Sequence, residues 1–158
     1  MSDAGEGLRQ TLKGQALREW KDAQIENVIY WFSKIYLGGI PPTITDDSAF
    51  LSFISILSAT EALARFRFGE PGNGERFRKF VIDYYPDPYP ALATELWGFR
   101  NGLIHAFSTK PFALTHHSSG FHLNDRAYSW GTGGKILNAE DFYSALLVAT
   151  QRYFTDLR

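Results

Sequence analysis

Cysteine is absent from this chain, which excludes disulfides and any thiolate-based metal or catalytic site. Surplus charge is missing too: 16 Lys and Arg stand against 17 Asp and Glu, for a net charge of -1 and a pI near 6.4. A polyanion therefore meets no global attraction and would have to be held by a local basic patch. The apolar uncharged run Ser48 to Thr60, "SAFLSFISILSAT", is serine-rich and too short for a bilayer span. The start, "MSDAGEGLRQTLKGQALREWKD", mixes both signs without an apolar run, unlike a signal peptide. Together these absences predict a soluble cytoplasmic protein that does not engage a membrane.

What is abundant is aromatic. Phe, Tyr and Trp make up 16% of the 158 residues and apolar residues 44%, enough for one folded domain spanning residues 1–158. Residues 1–7 are small and polar, and flexibility is expected there. From Leu8, apolar positions mostly three or four apart (Leu12, Ala16, Leu17, Trp20, Ile25, Val28, Ile29, Phe32, Ile35 and Tyr36) predict a helix. Gly14 is a possible break, and Gly38-Gly39 with Pro41-Pro42 a firm end. "TDDS" (Thr45 to Ser48) supplies cap candidates for a second helix to about Phe68, apolar on nearly all sides and hence central.

After the turn "GEPGNG", a third helix spans Glu75 to Tyr85. The stiff connector "YYPDPYP" follows, its tyrosines read as packing groups. A fourth helix covers Ala91 to Ala106. Looser alternation over residues 111–131 predicts a small β-hairpin or ribbon. "GTGGK" lacks the spacing of a phosphate loop and reads as a turn. The last helix has Asn138 as N-cap and a buried face of Phe142, Leu146, Val148, Ala149, Tyr153 and Phe154. The fold class is therefore all-α: about five helices in a bundle, with a small β insertion before the last.

The chemistry lies in the fourth helix, "LWGFRNGLIHAF". At about 100° per residue, Leu92, Leu96, Phe99 and Leu103 form one stripe for the core. Ala93, Ile104 and Trp97 form a second apolar flank roughly 100 to 140° further round, and Arg100 lies between these two surfaces. Asn101 and His105, four apart, lie opposite the core, with Trp97 one turn earlier on that side. Arg100 and His105 point about 140° apart, so a single helix cannot easily aim both at one atom. Two copies about a twofold axis could. Gly98 and Gly102 would leave a notch for a partner backbone, which makes this helix, with Gly98, Arg100, Gly102 and His105, the expected homodimer contact. On spacing alone, an Arg and a His near a helix end also suit a structural role, capping carbonyls or meeting the helix dipole.

"FRNGLIH" (Phe99 to His105) resembles the Arg-x4-6-His motif of the HEPN superfamily, including the polar residue after the arginine. The resemblance is close over seven residues and loose over the helical scaffold, and the β insertion departs from the minimal HEPN bundle. It implies a metal-independent endoribonuclease acting as a homodimer, a toxin or antiviral defence component. The alternative is a non-catalytic HEPN-type module that binds RNA or a nucleotide, or pairs with a protein such as an antitoxin. In the catalytic reading His105 moves a proton, imidazole being suited to this near neutral pH. Arg100 stabilises charge on phosphorane oxygens, and Asn101 orients His105 or donates to phosphate. The products would carry 2′,3′-cyclic phosphate and 5′-hydroxyl ends, and DNA would lack the nucleophile. No cofactor or metal is implied.

Glu61, in an apolar stretch, needs a partner if buried: Arg100 or His105 across the helix pair, or else solvent or Arg65 one turn on. Arg65, Arg67, Arg76, Arg78 and Lys79, set among phenylalanines, are candidates for a local RNA patch or for an ordinary solvated face. His116, His117 and His122 suggest a metal set, but adjacent strand residues face opposite ways, which argues against one.

Overall fold

The computed structural model describes residues 3–45, 49–70, 72–116, 122–123, 125–126 and 134–158. Helix α1 (Asp3–Phe32) begins earlier than the apolar pattern does and passes through Gly14 unbroken. It runs on as one π-helical stretch, Ser33–Leu37, closed by the Gly38 N–H on the Ser33 carbonyl at 2.9 Å. A Cβ on Gly39 would collide with the Ile35 carbonyl, so the chain can turn here only with glycine. The two prolines then open a helix instead of merely ending one. They sit in the first turn of α2 (Ile40–Thr45), where a missing N–H costs nothing. The acidic cap expected at Asp46 to Ser48 lies outside the described residues.

The core is built on α3 (Ala49–Phe68), which packs against α2, α4 (Asn73–Tyr84), α5 (Ala93–Ala106) and α6 (Ala139–Leu157). Nine residues of α3 are buried, among them Phe53, Ile56, Leu57 and Leu63. Among the described helices, α3 alone is long and apolar enough, by length and composition, to cross a membrane. Here it is the central helix of a packed bundle. The tyrosines of the proline connector are internal: Tyr85 bonds Thr60 at 2.6 Å, and Tyr89 stacks on Phe142 at 5.6 Å. Arg152 ties the same connector down through the Tyr84 and Tyr85 carbonyls, each at 3.1 Å.

Two expectations about buried faces need correction. The first half of α1 makes no core: Leu12, Leu17 and Trp20 are exposed, and only Ile25, Val28, Ile29 and Phe32 turn toward the bundle. On α6, Val148 is exposed while Ala145 and Thr150 complete the buried face, because the helix meets α3 on a narrower stripe than the apolar residues allow.

Before α6 comes a small sheet in the order β1 (Phe112–Thr115), β3 (Gly134–Asn138), β2 (Asp125–Arg126). β1 pairs with β3 in parallel, and β2 pairs with β3 antiparallel. Gly134 and Lys135, read from sequence as part of a turn, belong to β3. Gly134 fits there because a side chain would strike the Pro111 carbonyl. The sheet hands over directly to α6, where Asn138 caps the helix by accepting from the Glu140 and Asp141 N–H groups at 2.9 and 3.2 Å.

His122 fastens the sheet to the bundle. Its Nδ1 accepts from the Asn138 N–H at 3.1 Å, which puts the proton on Nε2, and Nε2 donates to the Tyr89 hydroxyl at 2.8 Å. Burial lowers the imidazole pKa, only partly offset by Asp141. The unfolded chain thus binds this proton at higher pH than the folded one. Stability should fall as pH drops through about 6.5 and level off below the folded value. Melting curves between about pH 8 and pH 5 should show that loss, and His122→Gln should flatten it.

Candidate functional site

The 3-10 turn Tyr89–Leu92 leads into α5, whose Leu96, Phe99 and Leu103 are buried as the helical periodicity requires. Phe99 meets Phe53 of α3 at 6.1 Å and Phe112 of β1 at 5.3 Å. That anchoring fixes where the next residue points. Arg100 lies across the gap to α3, its Nε and Nη2 on Glu61 Oε2 at 2.9 and 2.6 Å. Both side chains are under one-fifth exposed, so solvent screens this pair less than a surface pair. Arg65, although one turn from Glu61, is not its partner.

Two further contacts hold the guanidinium. Nη1 donates to Asn101 Oδ1 at 3.1 Å, and the carbon centre sits 5.3 Å from the Trp97 ring. Asn101 therefore serves Arg100, and its amide nitrogen is left without a described partner. Trp97 is itself set by Gly74 in the first turn of α4: a Cβ there would lie 2.8 Å from the indole nitrogen. Phe77 flanks the ring at 5.4 Å. Trp97 was legible one turn before Asn101 on the same helix, but Gly74 was not, because its contact with Trp97 joins two helices and no spacing within one helix encodes it.

His105, one turn after Asn101, is exposed and makes no hydrogen bond to another described residue. It does not touch Arg100. Beyond it α5 ends in a left-handed residue, Phe107 at φ 50° and ψ 38°, and the Ser108 N–H closes on the Gly102 carbonyl at 2.9 Å. This corrects the reading of the glycine notch. A Cβ on Gly102 would meet the Ser108 carbonyl at 2.9 Å, so that position serves the chain's own turn. Gly98 has nothing within 4 Å and stays open.

Of the five basic candidates, three meet different partners. Arg76 is buried and staples the turn before α4, bonding the Gly69 carbonyl at 2.9 Å and the Asn73 side chain. Arg67 donates to the Tyr84 hydroxyl at 2.8 Å and lies over Phe68, while Lys79 pairs with Asp83 at 2.9 Å and lies over the same ring. Arg65 and Arg78 have no described hydrogen-bond or ionic partner. Among the histidines, His122 is committed to its structural bonds and His117 lies outside the described residues.

The chain matches no protein-family profile, no curated protein and no solved structure.

Proposed function

We propose that the protein is a HEPN-like, metal-independent endoribonuclease of the cytoplasm that works as a homodimer, in the manner of a toxin or defence component. The observation that carries this reading is a guanidinium oriented by Glu61, Asn101 and Trp97, with an unencumbered imidazole one turn further along the same helix. Such a guanidinium needs little reorganisation to meet charge developing on phosphate. An exposed His105 is free to take the 2′-hydroxyl proton as O2′ attacks phosphorus, or to protonate the departing O5′. A twofold axis would bring a second His105 to the other of these tasks, and a second Arg100 with it.

The end of α5 favours such a contact. Phe107 is 81% exposed and Ile104 42%, on either side of His105. An aromatic in a left-handed conformation costs about 1 kcal/mol that glycine would not. Keeping it exposed there fits a surface made to be covered. Phe107→Gly should relieve that strain at the cost of the Phe50 contact at 5.0 Å, leaving the monomer's stability nearly unchanged. The dimer should weaken about 10-fold or more, read by analytical ultracentrifugation of the two proteins at matched concentrations.

Incubating single-stranded RNA with the protein in EDTA tests the activity. Fragments ending in 2′,3′-cyclic phosphate and 5′-hydroxyl are expected, with no cleavage of the DNA counterpart. A second reading, a HEPN-type module that binds RNA, a nucleotide or a protein without cutting, is favoured by one feature: Arg100 is already satisfied inside the chain. RNA held but left intact in EDTA would select it. Neither binding nor cleavage of RNA would reject the ribonuclease.

A further inference from the structure

Arg100 and Glu61 lie in direct contact, so together they carry no net charge and attract a phosphate only weakly from a distance. If the site holds RNA, as proposed above, its positive charge must come from elsewhere. Arg67, Arg76 and Lys79 are committed to Tyr84, the Gly69 turn and Asp83. Of the five candidates, Arg65 and Arg78 have no described partner, and Arg78 is the one placed near the Trp97 indole.

Its position follows from Gly74. The point where a Gly74 Cβ would stand is 2.8 Å from the Trp97 indole nitrogen and 3.2 Å from Arg78 Nη1. Arg78 of α4 is thus next to the indole of α5, and the same indole carries Arg100 at 5.3 Å. Two guanidinium groups from different helices therefore lie near one indole, Arg100 over its ring and Arg78 beside its nitrogen across Gly74. One is bound to a carboxylate. The other is half-buried, which limits its motion, and has no described ionic or hydrogen-bond partner.

We propose that Arg78 is a positioning residue for RNA, holding a backbone phosphate beside the one at Arg100. A guanidinium presents a planar fork suited to two phosphate oxygens, and the half-burial of Arg78 reduces the entropy lost on binding. The contact is remote from the bond that breaks, so it should act on binding and not on the chemical step.

The test uses the full chain with a 2′-O-methyl single-stranded oligonucleotide, which cannot be cleaved, in a salt titration. Arg78→Gln should weaken binding about 10-fold and lower the slope of log K against log salt by about 0.7, the contribution of one phosphate contact to a single strand. With cleavable RNA it should raise KM and leave kcat unchanged. Arg78→Lys should restore the salt slope because it keeps the charge. If Arg78→Gln proves to melt early, Arg78→Met, which keeps the apolar stem and removes the charge, takes its place in the titration, and a native slope there would overturn the proposal. Native protein that cleaves RNA while both charge-removing variants keep native affinity and slope would overturn the role of Arg78 alone. Native protein without affinity for RNA would overturn the ribonuclease reading and this role together.

Discussion

His105→Ala is expected to lower RNA cleavage by about 10²- to 10⁴-fold, the usual worth of a positioned acid or base. Its melting temperature should stay close to native, because the imidazole is exposed and makes no described hydrogen bond. Arg100→Ala should cost cleavage on the order of 10²- to 10³-fold, but for a different reason and with a different signature. It strips Glu61 of its partner in a poorly exposed position, so stability should drop as well, by roughly 1–2 kcal/mol. Arg100→Lys should not rescue: an ammonium cannot reach Glu61, Asn101 and the Trp97 face from one plane. Cleavage assays paired with thermal melts distinguish these cases. Undiminished cleavage by His105→Ala would sink the catalytic role of this helix.

The second large effect belongs to the residue just before Arg100. Phe99→Ala should destabilise the fold by about 3–5 kcal/mol, since the ring is fully buried between Phe53 and Phe112. In a chain of this size that is a fall of roughly 10–20 °C in Tm. The void would lie where α5, α3 and β1 meet, so the aim of Arg100 across the gap to Glu61 would loosen as well. Below the new Tm, cleavage should therefore fall in parallel with stability, whereas His105→Ala separates the two. Calorimetry alongside RNA cleavage at a temperature where both variants are folded checks this. Native-like stability of Phe99→Ala would mean that α5 is not anchored here.

The stripe of Leu92, Leu96, Phe99 and Leu103 was legible because helical periodicity alone puts those positions on one side, and all four are buried. For the same reason the exposure of His105 and the intermediate place of Arg100 follow from periodicity alone. The Asn138 cap was legible too, being a local contact between a side chain and N–H groups two and three residues on. Local rules failed where two distant segments compete for one surface. The apolar residues of early α1 promised a buried face, yet burial requires a neighbouring element, and none of the described ones packs there.

What the sequence by itself determined is the main helices, their order and the core stripe of α5, because these follow from dihedral preferences and from periods of a few residues. Only the tertiary structure decided which partner each polar group would meet. Glu61 had three candidates, and the crossing of α3 with α5 gave it Arg100. Gly102 could have admitted another chain, and the return of Ser108 filled the space instead. Within the basic cluster, Arg67 and Arg76 meet a hydroxyl and a carbonyl of neighbouring segments, while Lys79 pairs with Asp83 on the surface of its own helix. The Arg100–Glu61 contact joins residues 39 apart in the chain, so its geometry is set by how α3 and α5 pack and not by the spacing within either helix.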